Sequence, residues 1–226
     1  MNYFWESVIK PVLELSGAKR IVEIGAFNGK NTVNLLNYCR QKGGIVQVID
    51  PLPLFDVQKF RATYGSHLMI YESISLQILP LLHPYDAILI DGDHNWYTVY
   101  HELKAIESLA VVSGKRPLIF LHDTGWPYGR RDAYFNPKQI PDKYRKPYAK
   151  KGMTRGVKEL TEHGLNSDAY NAVYEGGTRN GVLTAVEDFL KQSPIKYDFH
   201  QSHDQFGLGL LTPHKFPLKK LIRYFR

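Results

Sequence analysis

The sequence has a single cysteine and no long apolar run. Because Cys39 has no partner in the chain, an internal disulfide is excluded and a reducing cytoplasm is the expected setting. Cys39 falls at helical spacing with Leu35 and Leu36, so we interpret it as a packing residue and not as a nucleophile. No apolar stretch approaches the ~20 residues that span a bilayer. The N-terminal segment contains Glu6 and lacks an apolar core before a small-residue cleavage site, so we expect no secretory signal.

The positive charge of the chain is concentrated in two segments. The 226 residues carry a formal net charge of +7. Residues 126–160 contain ten Lys and Arg against three acids, and residues 214–226 contain five against none. The rest of the chain is mildly acidic. These two basic segments indicate an anionic substrate or an anionic surface, and lysines that serve only solubility are the alternative.

Residues 20–29, Arg-Ile-Val-Glu-Ile-Gly-Ala-Phe-Asn-Gly, predict a strand that turns sharply into a helix. The apolar run at 21–24 is typical of a strand that is buried on both faces. Gly25 and Gly29 let the backbone approach a ligand closely, and the first turn of the following helix offers free N–H groups. The stretch therefore predicts a nucleotide-binding corner.

Two side chains indicate which ligand this corner takes. Where a dinucleotide fold has its second glycine, this chain has Phe27, whose ring would obstruct a diphosphate. Glu23 would place a negative charge beside the ligand, which suits a cation. The pattern Glu23-x-Gly25-x-x-x-Gly29 resembles the first motif of the class I S-adenosylmethionine-dependent methyltransferases, whose ligand carries a sulfonium and an ammonium. That resemblance assigns Glu23, Gly25, Ala26, Phe27 and Gly29 to the cofactor; a plain strand-to-helix turn is the alternative.

Strands and helices alternate along the first half of the chain. Apolar runs predict strands at residues 21–24, 45–49, 67–71, 85–90 and 117–121. This alternation predicts an α/β, Rossmann-like fold, in which a mostly parallel sheet has helices on both faces and a ligand cleft at the carboxyl ends of its strands. Asp50 follows the second strand, where such folds hydrogen-bond a ribose. Ser73 follows the third strand, where the adenine edge of a ligand would lie.

Acidic and imidazole side chains follow the fourth and fifth strands: Asp91, Asp93, His94, His122 and Asp123. We expect them to converge, because the carboxyl ends of adjacent parallel strands meet at one edge. Converging carboxylates repel each other unless a cation lies between them. Oxygen ligands favour Mg²⁺, Ca²⁺ or Mn²⁺, and His122 would shift the preference toward a transition ion. The predicted metal ligands are Asp91, Asp123 and His122; the alternative is that the two aspartates only cap turns.

Methyl transfer to an aliphatic hydroxyl requires that the hydroxyl be polarised or lose its proton. A divalent ion can polarise it, and a histidine with a pKa near neutral can accept the proton, which is typically worth about 10²–10⁴-fold in rate. His94 is the predicted base because it lies beside the carboxylates and leads into a helix. A histidine that only caps this helix is the alternative.

Together, these motifs resemble a narrower group. Glu23-x-Gly25-x-x-x-Gly29, Asp50, Leu-Ile-Asp91-Gly-Asp93-His94-x-Trp-Tyr and Leu-His122-Asp123 look like the metal-dependent class I O-methyltransferases that include the macrolide-sugar and rhamnosyl methyltransferases. The resemblance implies that Asp91 and Asp123 bind Mg²⁺, with Asp91 also beside the cofactor, and that His94 is the base. The chain departs from this group at Thr124, where relatives often carry a second acid or an amide.

The sequence predicts one methyltransferase domain with five parts. These are an N-terminal helix (1–17), a cofactor-binding core (18–124), a lid or acceptor insertion (125–179), a closing helix and strands (180–213) and a basic amphipathic tail (214–226). In the insertion, Trp126, Tyr128, Arg130 and Arg131 are predicted to bind the acceptor, since aromatic faces suit a sugar ring and guanidinium groups suit phosphate or carboxylate. The tail pattern fits a membrane-surface anchor, peripheral to the inner membrane surface, and fits equally a helix docked on the protein's own body.

The sequence therefore predicts an S-adenosylmethionine-dependent O-methyltransferase that acts on a sugar hydroxyl of a glycan or glycosylated metabolite. One alternative is metal-free methylation of another small molecule. Another is a non-catalytic module that binds nucleic acid through the basic stretch. We recognise no nucleic-acid motif, so no nucleic-acid partner is expected.

Overall fold

A computed structural model describes residues 1–218 of the protein. Its strands are β1 (Arg20–Ile24), β2 (Ile45–Ile49), β3 (Leu68–Tyr71), β4 (Ala87–Ile90), β5 (Leu118–His122), β6 (Ala133–Tyr134), β7 (Tyr148–Lys150), β8 (Tyr170–Ala172), β9 (Tyr197–Ser202) and β10 (Leu208–Pro213). Its α-helices are α1 (Lys10–Ser16), α2 (Lys30–Lys42), α3 (Val57–Tyr64), α4 (Ser75–Ile78), α5 (Trp96–Ser113) and α6 (Val182–Gln192).

A seven-stranded sheet in the order β3-β2-β1-β4-β5-β10-β9 forms the centre of the fold. The strands β1 to β5 are parallel, whereas β10 runs antiparallel to both of its neighbours. The predicted mostly parallel α/β sheet is confirmed. Strand order reverses between β1 and β4, and in such sheets a ligand crevice opens outside the carboxyl ends of the strands at that point.

Both faces of the sheet are covered, because neighbouring residues on a buried strand point to opposite sides. Ile21 of β1 packs on one face and Val22 on the other. The first face is covered by α1 and α2 through Val12, Leu13, Leu35, Leu36 and Cys39. The second is covered by α5 and α6 through Val99, Leu103, Ile106, Val186 and Phe189. Two packed layers therefore hold the carboxyl ends of the strands in place.

The N-terminal segment is helical without interruption. A 3₁₀ turn (Asn2–Phe4) and a π-helical turn (Trp5–Ile9) lead directly into α1. Pro11 lies in the first turn of α1, where its ring is tolerated, and does not interrupt the helical path. The predicted end at Gly17 is confirmed by its left-handed φ of 66°.

The predicted boundaries of several elements shift by one or two residues. The prediction for β2 is confirmed at both ends, β1 begins one residue earlier than predicted, β3 and β5 begin one residue later, and β4 begins two residues later. The helix α3 was not predicted, although Val57, Phe60 and Tyr64 lie at helical spacing; every one of its residues is at least partly exposed. The Asp56 side chain caps this helix by accepting a hydrogen bond of 2.9 Å from Lys59 N.

The insertion at 125–179 carries a small sheet of its own, which the sequence did not predict. Its antiparallel strands run in the order β6-β8-β7. Asp132 joins this layer to the main fold, because its Oδ1 accepts hydrogen bonds from Trp96 N at 2.7 Å and from Gly181 N at 2.6 Å. These two donors begin α5 and α6, so the insertion is tied to both helices.

Candidate functional site

The turn after β1 is built around a glycine that no other residue can replace. Gly25 has a φ of 79°, and a Cβ at this position would overlap the backbone of Asp91 and Gly92 at the end of β4. The amides of Ala26 and Phe27 then donate hydrogen bonds of 2.7 and 3.0 Å to Asp50 Oδ2. The carboxyl ends of β1, β2 and β4 therefore meet at this turn.

Asp50 is engaged chiefly with backbone. Besides the two amides on Oδ2, its Oδ1 accepts a hydrogen bond of 2.8 Å from Leu52 N. A carboxylate has about four acceptor positions, and three of them are occupied here. Asp50, which was predicted to bind a ribose, thus holds the turn after β1 in place, and one acceptor position remains for a ribose hydroxyl.

A cavity of about 700 Å³ opens at the carboxyl ends of β1, β2, β4 and β5. It brings together these residues with predicted roles: Gly25, Ala26, Phe27, Asp50, Asp91, His94, His122, Asp123 and Tyr128. The volume lies in the range of cavities that hold cofactors and drug-sized ligands. The glycine turn and the acidic-imidazole groups therefore face one shared space.

Asp91, His94, His122 and Asp123 form a four-residue cluster in this cavity, with one potential ligand atom from each lying within 4.8 Å of the others. His94 Nε2 lies 2.8 Å from Asp123 Oδ2 and 3.6 Å from Asp91 Oδ1. His122 Nδ1 lies 2.8 Å from Asp123 Oδ2 and 3.1 Å from Asp91 Oδ1. Both imidazoles therefore point a nitrogen at the same pair of carboxylates.

The charges of the cluster stabilise one another. Burial by itself would raise the pKa of Asp91, but the charge of His122 and its hydrogen bond outweigh burial and hold that pKa well below its usual range. Asp123 behaves in the same way beside His94. Burial lowers the pKa of His122, and the charge of Asp91 outweighs this and raises it to about 9. With both imidazoles protonated and both aspartates ionised, the four side chains carry no net charge, and the Met1 ammonium, 2.9 Å from Asp91 Oδ2, adds one positive charge.

One atom of the cluster has no partner that satisfies it. His94 Nε2 is buried and is not aligned for a hydrogen bond to Asp123, and it has no other hydrogen-bond partner within residues 1–218. A buried ring nitrogen aimed at two carboxylates suits a cation held between them. The donor set, two imidazole nitrogens and two carboxylates, can hold a divalent metal ion.

Asp123 occupies a strained backbone conformation. Its φ of 59° lies in the left-handed region, which aspartate tolerates better than most residues but which still costs about 1 kcal/mol or more. Thr124, which follows it, is 1% exposed. Such strain persists where surrounding structure holds it, and here it aims the Asp123 carboxylate at both histidines.

Two residues with predicted roles lie inside the protein instead of at the cavity. Glu23 is 1% exposed and accepts hydrogen bonds from Asn31 Nδ2 at 2.7 Å and Thr32 Oγ1 at 2.6 Å. Burial raises the pKa of Glu23 to about 7. Arg131 is fully buried and donates to the carbonyl oxygens of residues 158, 172 and 173. Glu23 thus joins β1 to the first turn of α2, and Arg131 crosslinks separate segments of the insertion by hydrogen bonds.

Four more predicted residues lie outside the cavity lining. Gly29 packs against the rings of Phe55 and Phe60, and a Cβ at this position would approach each ring to 3.0 Å. Ser73 Oγ donates to Gln77, Trp126 lies beneath the guanidinium of Arg155, and Arg130 pairs with Glu187 through both of its terminal nitrogens. Their predicted roles in binding cofactor or acceptor stay predictions that this arrangement does not support.

Other residues line the cavity without having been predicted to: Asn31, Ser75, Tyr97, Thr98, Phe135, Ile140 and Phe206. Asp93, which the sequence did mark, also lines the cavity and accepts hydrogen bonds from Thr98 Oγ1 at 3.0 Å and Phe135 N at 3.0 Å. Only Asp93, in the acidic run after β4, was marked by the sequence. Phe135 comes from the insertion, whose path no sequence pattern predicts.

The predicted amphipathic tail at 215–226 lies mostly outside the described residues, which end at 218. Its two alternatives, membrane contact and docking on the protein, stay predictions. Within the part of the chain that is described, no helix is long and apolar enough to cross a membrane.

Comparisons with known proteins relate the fold, but not the sequence, to methyltransferases. No protein-family model and no curated protein matches the chain. A Staphylococcus aureus structure assigned as a caffeoyl-CoA O-methyltransferase matches with a TM-score of 0.53 and 15% identity, over 92% of this chain and 82% of that one. The Podospora anserina methyltransferase PaMTH1, bound to S-adenosylhomocysteine, matches with a TM-score of 0.50 and 13% identity, over 90% of this chain and 76% of that one. The protein therefore has the Rossmann-like fold of the S-adenosylmethionine-dependent methyltransferases.

Proposed function

We propose that the protein is an S-adenosylmethionine-dependent O-methyltransferase. The observation that carries this proposal is that one cavity is bordered by both the glycine turn after β1 and the four-residue cluster. The turn offers a cofactor the close approach to the backbone that Gly25 permits. The cluster offers groups that can polarise or deprotonate a hydroxyl a short distance away. The fold shared with known methyltransferases supports the same reading by analogy.

The reaction needs little covalent chemistry from the protein. The acceptor oxygen forms a bond to the methyl carbon while the carbon–sulfur bond breaks, and the hydroxyl proton passes to a base, leaving S-adenosylhomocysteine. In-line geometry and exclusion of water supply much of the rate. Asp91, beside Gly25, lies where the reacting methyl group would face the cluster. A divalent ion held by the cluster would polarise the acceptor oxygen.

We propose a sugar hydroxyl of a small molecule or glycan as the acceptor. Tyr128 supports this, because its buried ring lines the cavity with its centroid 5.5 Å from that of His94. Phe135 and Phe206 add further aromatic surface at the same cavity, and aromatic faces pack well on the apolar faces of sugar rings. Arg130 and Arg131 give no support to an anionic group on the acceptor, since both are engaged elsewhere.

A second candidate is metal-free methylation with His94 as the base. It is favoured by the distance of 2.8 Å between His94 Nε2 and Asp123 Oδ2, since a carboxylate beside an imidazole stabilises the imidazolium that forms. This is the role that the sequence predicted for His94. It requires that Nε2 or Nδ1 reach the acceptor hydroxyl, and activity unchanged by a chelator would support it.

Calorimetric titration with S-adenosylhomocysteine tests the cofactor part of the proposal. We expect binding at a 1:1 ratio, with or without added Mg²⁺, because the turn and the cluster are separate parts of the cavity. Methyl transfer is then followed by mass spectrometry with glycosides as acceptors. His94→Asn should abolish transfer while binding persists, and His83→Asn, at an exposed position, is the matched control. Failure of the unmodified protein to bind S-adenosylhomocysteine would overturn the proposal.

A further inference from the structure

The sequence favoured Mg²⁺ at the cluster, held mainly by carboxylates, with His94 left free as the base. The geometry points to a different site. We infer that His94 Nε2 and His122 Nδ1 are ligands, together with Asp91 and Asp123, of a single divalent transition-metal ion. This inference rests on the proposed function for the purpose of the ion, but not for its binding.

The first argument is where the nitrogens point. Each imidazole directs one nitrogen at the same oxygen, Asp123 Oδ2, and each of these two distances is 2.8 Å. A free base would direct its nitrogen toward the space that the acceptor fills. His94 Nε2 is instead buried, and it makes no hydrogen bond within the described chain. Asp123 Oδ2 lies 2.8 Å away but is not aligned as an acceptor, so a deprotonated Nε2 whose lone pair is directed at an ion explains this atom better than a misaligned N–H does.

The second argument is size. Bonds of 2.0–2.1 Å to nitrogen and oxygen give ligand-to-ligand distances of about 3.0 Å in an octahedral site and about 3.4 Å in a tetrahedral one. The four distances between histidine nitrogens and aspartate oxygens are 2.8, 2.8, 3.1 and 3.6 Å. These four of the six distances bracket both values, and all four ligand atoms lie within 4.8 Å of one another, so a modest contraction of the cluster would accommodate an ion. The cluster is therefore close to a ligand shell as it stands.

The third argument is donor chemistry. Mg²⁺ prefers oxygen ligands and keeps several waters, so a site in which two of the four protein ligands are imidazole nitrogens is unsuited to it. Imidazole with carboxylate suits Zn²⁺, Fe²⁺, Mn²⁺ or Co²⁺. The backbone supports this set, because the strained φ of Asp123 turns its carboxylate toward both rings. The two histidines come from different elements, His122 from the end of β5 and His94 from the turn after β4.

The assignment changes the role of His94. A nitrogen bound to a metal ion cannot also accept a proton, so His94 would hold and orient the ion instead of acting as the base. The metal-free candidate instead requires that His94 be free of any metal ion, so that it can accept the proton of the acceptor hydroxyl. The state of His94 Nε2 therefore distinguishes the two.

Cobalt(II) provides a test with a readout other than activity. The full-length protein is stripped with a chelator and titrated with Co²⁺, and its proton NMR spectrum is recorded in H₂O and D₂O. A histidine bound to Co²⁺ shows a strongly shifted, exchangeable ring N–H signal. We expect two such signals at a 1:1 ratio, and about 100-fold excess Mg²⁺ should not remove them.

Variants identify the signals. His94→Asn and His122→Asn should each remove one signal and weaken Co²⁺ binding by more than the roughly tenfold that loss of an outer partner costs. His83→Asn should leave both signals, because His83 is exposed and outside the cluster. If either cluster variant fails to fold, as judged by circular dichroism, the count of two signals in the unmodified protein remains the test.

The outcomes separate the inference from the proposed function. Co²⁺ binding without shifted histidine signals, displacement by Mg²⁺, or no stoichiometric binding would each overturn the transition-metal site. S-adenosylhomocysteine binding is measured on the chelator-treated protein, so it does not depend on the ion. If it binds and the histidine signals are absent, the methyltransferase proposal stands with His94 as its base.

Discussion

Gly25 packs directly against the carbonyl oxygen of Asp91, so that the turn after β1 and the end of β4 are in contact. This contact joins the proposed cofactor corner to the proposed catalytic cluster. Any side chain at position 25 would separate them. Both the stability of the fold and the affinity for the cofactor are therefore expected to depend on this glycine.

Gly25→Ala should destabilise the protein strongly and abolish binding of S-adenosylhomocysteine. An alanine at this position would have to adopt an unfavourable φ of 79°, and its Cβ would overlap the backbone of Asp91. Gly17→Ala is the matched control, because Gly17 has a φ of 66° with nothing within 4 Å of a Cβ. The control isolates the cost of the left-handed conformation, about 1–2 kcal/mol. Urea denaturation and calorimetry measure both effects, and equal losses in the two variants would contradict the role of the contact.

Replacing Arg131 in the insertion should reduce the free energy of unfolding far more than replacing the neighbouring Arg130. Arg131→Met would remove the hydrogen bonds from a fully buried guanidinium to the carbonyl oxygens of residues 158, 172 and 173, of which Lys158 O keeps Glu175 N as a donor, so we expect a loss of about 3 kcal/mol. Arg130→Met breaks a partly exposed ion pair with Glu187, which is worth about 0.2–1 kcal/mol, and one hydrogen bond to Thr184 Oγ1. Thermal and urea denaturation compare the two. Neither change should raise the KM for the acceptor by itself. An increased acceptor KM for Arg130→Met at unchanged stability would instead support the role predicted from sequence.

Glu102 should make the protein less stable as the pH rises. Burial raises the pKa of Glu102 to about 8, while Ser75 Oγ donates a hydrogen bond of 2.5 Å to its Oε1. Between about pH 4.5 and 8, the folded protein holds a proton that the unfolded chain releases. The free energy of unfolding therefore falls as pH rises through this window and levels off above it.

Glu102→Gln removes this titration and should flatten the pH dependence. We expect the variant to match the unmodified protein near pH 5 and to be more stable at pH 9, because its amide stays neutral. Urea denaturation at pH 5, 7 and 9 measures the difference. Glu159→Gln, at an exposed position, should follow the unmodified protein at all three values. Parallel curves for Glu102→Gln and the unmodified protein would show that Glu102 is not the titrating group.

The sequence predicted the sheet and the convergence of the cluster for the same physical reason. Buried parallel strands are continuous apolar runs, so β1 and β2 were recognisable from composition alone. Because β4 and β5 are adjacent and parallel, the residues that follow them lie at the same edge of the sheet, independent of the loop conformations. Asp91 and Asp123 were therefore predicted to lie together, and they do.

The same approach failed where a polar side chain faces inward. Glu23 and Arg131 belong to residue types that usually face solvent or ligand, yet both satisfy buried backbone or side-chain groups. Nothing in the local pattern distinguishes a buried Arg131 from a solvent-facing Arg130. The small sheet of the insertion was also missed, because strands of two or three residues carry too few side chains to show a period.

Phe27 combines exposure with backbone strain at the mouth of the cavity. Its side chain is 64% exposed and its φ is 49°, which is unfavourable for a bulky residue by about 1–2 kcal/mol. Backbone hydrogen bonds to Asp50 and Leu54 hold this conformation, but the exposed ring gains little from packing and so does not offset the strain in the free protein. A bound cofactor would provide the missing contact, because the ring borders the cavity beside Gly25.

Phe27→Asn should therefore stabilise the free protein while weakening its affinity for S-adenosylhomocysteine. Asparagine tolerates the left-handed conformation, so we expect a gain of up to about 1 kcal/mol in the free energy of unfolding. Loss of the ring should lower the affinity about tenfold, since covering an aromatic face is worth about 1.5 kcal/mol or more. Tyr174→Asn is the control, because Tyr174 is 59% exposed and lies away from the cavity. Calorimetry and urea denaturation give both quantities for each variant. If Phe27→Asn lost stability and kept its affinity, the ring would be a packing element of the turn and the strain would have no connection with binding.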